Sequence, residues 1–536
     1  MQAFRDFAEF DWIWSRLTPM TPFGREAKGR QHPLAEPVAL ERIWDQTAQA
    51  GRLMEDLEPV AFDRLRHHLG RLPRFPDEAL GTYGEVELFE IKKFLQNYLA
   101  LRALLPAPIR EAFALPEAPE GLAELLDRGR QSAESFHLSD AYSQSLAEIR
   151  ARLRETDQTL EALASRRARE LEERFGLAFG DRPFLVVAIT RLADWEQAQT
   201  CLKIEPHDEG RALVRPLPSA EEWELREARE GLLSRERVEE AAVLETLGEA
   251  VRTALPGLRA CREALAVFDL ALARARVARE LGLVRPRIEG GPLHIEGGRF
   301  LPCEELCARL GLDYTPLDAE FSSSSTVISG ANMGGKTVVL KTVAFLQLCA
   351  QMGLFVPAAS FRTRVYRHLV FIGEGREGLG QGLSGFGGEI RQLVEALEDR
   401  QGGLMLLLDE FVRTTSSREG EALLGALLER MRGEPGVFIL CSTHLRGLPR
   451  HAAVDFRRMA GLRRAAFGLA QGDGEDLEAR IRCIDRLMDY RLVPDPGGDG
   501  GSDAVDIAEV LGLPVEIARR ARELLKDGIR GVSYET

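Results

Sequence analysis

Apolar positions fall three and four residues apart through Phe4–Leu17, Leu40–Leu57 and Val86–Leu105. That spacing predicts helices across residues 1–125, with proline-rich breaks at 106–108 and 116–119. From Ser139 to Phe175 leucines and alanines keep the helical interval while acids and arginines interleave, which suits a solvated or paired helix. A short strand-like run, Phe184–Ile189, follows, and then a second long helical pattern from about Ala220 to Leu283, interrupted at Pro256. Residues 287–326 are shorter and mixed, with glycine pairs at 290–291 and 297–298 marking turns. After that the texture changes. Short apolar runs at Thr326–Ile328, Leu404–Leu408 and Val437–Leu440 alternate with helical patterns, as in a parallel α/β sheet. A Gly/Asp-rich loop lies around 494–502, and Asp506–Leu525 reads as two short helices joined at Gly512-Leu513-Pro514.

With 536 residues the chain is too long for one core, and roughly two to four domains are expected. A formal charge of −14 argues against a protein that coats nucleic acid without specificity, while leaving room for a local basic patch. The seven cysteines form no close-spaced metal pattern; only Cys303 and Cys307 could share a helix face. Scattered thiols fit a reducing compartment. The start, MQAFRDFAEFDWIW, has acids and no unbroken apolar stretch, so no signal peptide is expected, and no run reaches the length of a membrane span. The expectation is a soluble cytoplasmic protein without membrane contact.

Chemistry concentrates in the α/β half. Gly330-Ala331-Asn332-Met333-Gly334-Gly335-Lys336-Thr337 satisfies G-x-x-x-x-G-K-[ST], between a β-prone run and an apolar helix that opens at Val338. Glycines let backbone N–H groups converge on phosphates, and the helix N-terminus favours negative charge. Gly330, Asn332, Met333, Gly334, Gly335, Lys336, Thr337 and Val338 are therefore the candidate ATP contacts. Lys336 supplies the cation, and Thr337 a hydroxyl for Mg²⁺. The run Leu404–Leu408 ends in Asp409 and Glu410, carboxylates delivered at a strand's C-terminal edge. Asp409 is placed to hold Mg²⁺ through water, and Glu410 to orient or deprotonate the attacking water. A third strand ends in Cys441-Ser442-Thr443-His444, where His444 could sense the terminal phosphate.

Taken together, SGANMGGKT (329–337), FVPA (355–358), GLSGFGGEI (382–390), DEFVRTTSSREG (409–420) and STH (442–444) resemble the MutS family, in that family's order. The helix VVLKTVAFLQLCAQMGLFVPA, the segment AVDIAEVLGLPVEIARRARELL and the opening EFDWIWSRLTPMTPFGREAK are most similar to the second bacterial MutS subfamily. The resemblance implies a multidomain protein: an α-helical core and lever with a clamp-like region, followed by a P-loop α/β ATPase domain of MutS/ABC type. Its divisions would be a helical core at 1–130, a clamp-like insertion at 131–240, lever helices and connector at 241–300, the ATPase domain at 301–465 and a helical dimerisation segment at 466–536. It also implies a homodimer, in which Ser384 reaches the partner's nucleotide and the run from Arg413 to Ser417 lies at the interface.

The departures count too. The resemblance leaves no room for the family's mismatch-reading domain before the core, and Phe7-Ala8-Glu9 mimics that domain's wedge in spelling only. The subfamily's nuclease domain is not expected after Leu525. Ala331 replaces a proline in the P-loop, Thr414 replaces a glycine, and no residue for stacking on adenine is recognisable. Two jobs follow from the likeness. One is ATP-dependent binding of DNA, of mismatch-repair or recombination type. The other, suggested by FVRTTSSREG and GLSGFGGEI, resembles the MutS-related ATPase that reactivates adenosylcobalamin-dependent lysine 5,6-aminomutase, with the aminomutase or its reactivase subunit as partner and no DNA.

Overall fold

The computed structural model describes all residues except 130–134, 180–181, 192–194, 331–333, 374–384, 414, 446, 452, 464–483, 498–502 and 529–536. The chain forms two compact units. One comprises Met1–Phe62, Glu111–Phe113 and Leu265–Thr536, the other Asp63–Arg110 and Ala114–Ala264. Among the described residues no helix is long and apolar enough to cross a membrane.

The first unit is built on a six-stranded sheet in the order Met488–Pro494, Val454–Leu462, Ser325–Ser329, Val437–Ser442, Leu404–Asp409, His368–Ile372. Its strands are parallel except Met488–Pro494, which pairs antiparallel with Val454–Leu462 at one edge. The central strand Leu404–Asp409 is apolar at every position but the last because both its faces are covered. Met405 and Leu407 point to the core around the helix Lys336–Gln351, and Leu404, Leu406 and Leu408 to the core under Ser417–Arg430. The register sets Asp409 beside Ser442 and Ser442 beside Ile328, so three strands end level with one another. A smaller sheet, in the order Arg287–Ile288, Ser360–Thr363, Leu293–Gly298, Leu317–Phe321, belongs to the same unit.

The helix Lys336–Gln351 is buried over most of its surface, as a helix apolar on every side must be. Its two buried amides are fully engaged. Gln347 Nε2 donates to Gln351 Oε1 and to Arg364 O, both at 2.8 Å. Gln351 Nε2 donates to Leu34 O at 2.9 Å and Tyr366 O at 2.8 Å. Phe7 of the N-terminal helix Gln2–Phe7 stacks on Phe371 with ring centroids 3.7 Å apart, and Glu9 pairs with Lys341 at 2.5 Å. The Phe-Ala-Glu spelling thus serves internal packing of this unit.

The second unit contains the helix Gln144–Phe175, opened by Ser143 as N-cap, and a three-stranded antiparallel sheet, Leu185–Ala188, Arg211–Pro216, Leu202–Asp208. It also holds the greater part of the helix Ala220–Leu281. Arg150 is clasped by Glu236 and Glu240, both at 2.7 Å, while Arg229 meets Asp157 at 2.6 Å, so these two helices are laced by ion pairs.

Three expectations need correction. Pro256 does not interrupt the long helix, which runs unbroken for 62 residues. Proline removes one N–H and one intrahelical bond, but Leu247, Val251, Leu255, Leu258 and Cys261 are all buried on the flanking turns and hold the helix through it. Phe4–Leu17, expected as one helical stretch, is divided into two short helices at Glu9, which takes a left-handed φ of 47°. The glycines at 297–298 are not a free turn either. They end the strand Leu293–Gly298 at an irregularity of its register, where a Cβ on Gly298 would lie 2.5 Å from Ile295 Cγ2.

The loop that enters the helix Pro22–Gly29 is tied to Asp269, which is fully buried. Its carboxylate accepts from Met20 N at 2.9 Å and from Thr21 N and Oγ1, both at 2.7 Å. Asp269→Ala strands three donors away from water. It is expected to destabilise this unit by about 2–4 kcal/mol, read as a lower urea midpoint with nucleotide absent. An unchanged midpoint would show that the loop is held by other contacts.

Candidate functional site

The level strand ends bring the sequence candidates together. Ser325–Ser329 leads through Gly330, whose φ of 139° only glycine adopts readily, into residues 331–333, Gly334 and Gly335. Gly335 is left-handed at φ 93° and caps the helix that begins at Lys336. Lys336 is largely buried, and its Nζ donates to Gly330 O at 2.8 Å. Burial pulls its pKa below the ordinary lysine value, and the charges of Glu410 and Asp409 oppose that shift. A cation confined beside two carboxylates at a helix N-terminus is a ready partner for an anion.

Thr337 donates to the Asp409 carboxylate, at 3.0 Å to Oδ2 and 3.3 Å to Oδ1. Ser442 Oγ donates to Asp409 Oδ1 from the neighbouring strand. The carboxylate therefore sits between two hydroxyls, oriented toward the start of the P-loop helix. Glu410 is next in the chain. Its N–H donates to Ser442 O at 3.1 Å and to Ser442 Oγ at 3.2 Å, and its φ is 51°. Val412, at φ 59°, is left-handed as well. Each such non-glycine residue costs about 1–2 kcal/mol, most for a β-branched one, so the turn after the acid pair is a strained feature that its neighbours enforce.

A cavity of about 720 Å³ opens on the P-loop. Gly334, Gly335, Lys336, Thr337, Val338 and Glu410 line its polar end. Leu312, Tyr314, Met459 and Tyr490 supply apolar and aromatic wall, with Cys303 and Cys307 beside them. The Tyr314 hydroxyl accepts from Phe300 N at 2.7 Å, and burial raises its phenol to about 12. Burial also raises Cys303 to about 11 and Cys307 above its usual value, so these thiols stay protonated. Among the described residues no group of three or more His, Cys, Asp or Glu could hold a metal ion. The donor set suited to Mg²⁺ is the Thr337 hydroxyl with the Asp409 carboxylate, the sparse arrangement that Mg²⁺ takes when phosphates and waters complete its shell.

Of the remaining candidates, His444 is exposed two residues beyond the strand Val437–Ser442 and is not among the residues that line the cavity. Asn332, Met333 and Ser384 lie outside the described residues.

A sequence profile of MutS domain V matches residues 326–527, the stretch that holds the P-loop, the acid pair and the strand behind them. An endonuclease MutS2 of Thermomicrobium roseum is 32% identical over 433 residues, 79% of this chain and 52% of the relative. This chain belongs to the MutS family. A DNA mismatch repair protein MutS of Anaeromyxobacter sp. (strain K) is 29% identical over 552 residues, 96% of this chain and 57% of its own. An endonuclease MutS2 of Thermus thermophilus is 32% identical over 457 residues, 83% of this chain and 56% of the relative. The chain spans about half the length of these MutS relatives.

The MutS motifs contain residues whose parts sequence reading did not assign. Ser442 lies in the STH motif, and only the strand register reveals that it faces Asp409. Tyr490 and Met459 come from strands that no apolar run announced. Each lies close to Gly335, whose Cβ would meet Tyr490 Cδ1 at 3.3 Å and Met459 Cε at 3.5 Å. Gly335→Ala adds left-handed strain and crowds that contact, and a loss of roughly 1–2 kcal/mol is expected. That corresponds to a melting temperature lower by about 2–6 °C; an unchanged melting curve would mean that the loop relaxes without strain.

Proposed function

We propose that this chain binds ATP with Mg²⁺ and hydrolyses it in the cavity at the strand ends. The observation that carries the reading is the convergence of Lys336, Thr337, Asp409 and Glu410 on one glycine-rich turn. Gly334, Gly335 and the N–H groups at the start of the helix cradle the phosphates, and Val338 begins the helix whose dipole faces them. Thr337 and, through water, Asp409 would hold Mg²⁺, which would supply positive charge against the phosphate oxygens. Lys336 gives up Gly330 O for a phosphate, and Glu410, in the cavity wall, orients a water and accepts its proton. Tyr314, Tyr490, Met459 and Leu312 offer a surface of the size and polarity a nucleobase needs.

The finer assignments belong to the same proposal. The chain works as a homodimer, with Ser384 from one subunit completing the other's phosphate cage and His444 at the terminal phosphate. The relatives are a mismatch repair protein and endonucleases by name, which supports DNA as the target. A second reading has one observation in its favour: Arg150, Arg154, Arg166 and Arg167 of the clamp-like helix each lie within ion-pair distance of a carboxylate. Guanidinium groups paired in this way form a poor track for phosphates, which suits a protein client such as an aminomutase.

Lys336→Ala is expected to weaken ATP binding at least about a hundredfold, whereas Glu410→Gln keeps affinity and lowers kcat about 100-fold or more. Equilibrium binding and single-turnover hydrolysis separate the two; full turnover in the Glu410 variant would remove it from its role. Mixing Ser384→Ala with Lys336→Ala should recover part of the activity if sites are shared between subunits, and no recovery would sink that arrangement. DNA affinity that falls steeply with salt, measured with and without ATP on branched or mismatched duplex, supports the DNA reading. Absence of binding at low salt supports a protein client.

A further inference from the structure

The helix Gly385–Glu398 carries Glu389 toward the turn that follows the acid pair. Glu389 Oε2 accepts from the Val412 N–H at 2.9 Å. Val412 is almost fully buried, and a Cβ on Gly420 would stand 3.2 Å from its Cγ2, so the side chain has little room to swing away. Besides its own Arg413 N–H to Glu410 O bond at 3.2 Å, the turn is held at two points by side chains from other elements. Ser442 fixes it before the Glu410 side chain, and Glu389 fixes it after. Between those points the backbone is left-handed at both Glu410 and Val412. Freed of either tether, residues of these types would return to the ordinary right-handed or extended regions.

We infer that Glu389 is a positioning residue for hydrolysis: by fixing the Val412 N–H, its carboxylate keeps the 410–412 turn in the form that holds Glu410 in the wall of the nucleotide cavity. The inference rests on the ATPase reading above, in which Glu410 orients the water. Glu389 does not itself line the cavity and acts through the turn. Half-buried, it is raised above the ordinary glutamate pKa by desolvation, and the Val412 N–H lowers it again. What the role requires is an acceptor oxygen at that point, whether or not it carries charge. The chemistry of Glu389 therefore differs from that of Glu410, where proton acceptance is the task.

The test uses the full chain and Mg·ATP, with equilibrium affinity and single-turnover rate measured for each variant. Glu389→Ala removes the acceptor, and Glu389→Asp withdraws it by one methylene while keeping charge. Both should slow hydrolysis about tenfold or more and leave ATP affinity within about twofold. Glu389→Gln retains an oxygen that can accept the same N–H and should stay within about threefold of the unmodified protein. Combined with Glu410→Gln, Glu389→Ala should add less than about twofold, because its effect passes through Glu410. Undiminished hydrolysis in the Ala and Asp variants would overturn the inference. So would a Gln variant as slow as Ala, or full additivity with Glu410→Gln. Should the Ala variant fail to fold, the Asp and Gln pair decides alone. If the unmodified chain neither binds nor hydrolyses ATP, the ATPase reading itself fails, a result distinct from any of these.

Discussion

The Asp409 carboxylate is set between the hydroxyls of Thr337 and Ser442, and this small arrangement depends on most of the first unit. Thr337 is placed by the glycine-rich turn and the buried helix behind it. Ser442 is placed by the parallel register that levels two neighbouring strands. A slip of one residue in that register would turn Asp409 to the opposite face of the sheet and bury it among leucines. The all-apolar strand Leu404–Leu408 is what forbids the slip, because both of its faces are enclosed.

Immediately beyond that carboxylate the backbone changes hand. A strand buried on both faces keeps regular geometry and sends successive side chains to opposite faces, whereas the chemistry proposed here needs two adjacent acids at one site. The left-handed residue at Glu410 reconciles the two demands, at a local cost that the surrounding hydrogen bonds offset. Sites of this kind concentrate strain because the fold around them is over-determined, and here the enforcing groups come from a neighbouring strand and from a separate helix.

Much of this was legible in the amino-acid order. The P-loop, the acid pair and the strands around them announce themselves through apolar runs that end in unusual residues, since a strand covered on both faces tolerates nothing else. The charged helix from Ser143 was equally plain because its leucines keep the helical interval. Less visible were Val454–Leu462 and Met488–Pro494, which lie toward the sheet edge, carry arginines and aspartates, and so lack the continuous apolar signature. Their side chains Met459 and Tyr490 wall the cavity, which explains why that wall could not be named from motifs. Pro256 misled for a different reason: its intrinsic preference is outweighed by apolar burial on both sides. Glu389 stood in a recognised motif, yet its partner is a backbone N–H, and backbone partners leave no trace in a sequence.

The paired amides of Gln347 and Gln351 carry a mechanical consequence. Together with Thr363 Oγ1, which donates to Gln347 Oε1 at 2.6 Å, they bind the P-loop helix to carbonyls at Leu34, Arg364 and Tyr366. Rotation or sliding of that helix by a single residue would leave several of these groups dry and unmatched. The helix is thereby bolted into its surroundings, and any displacement that begins at the glycine-rich turn must carry the neighbouring segments along as one block.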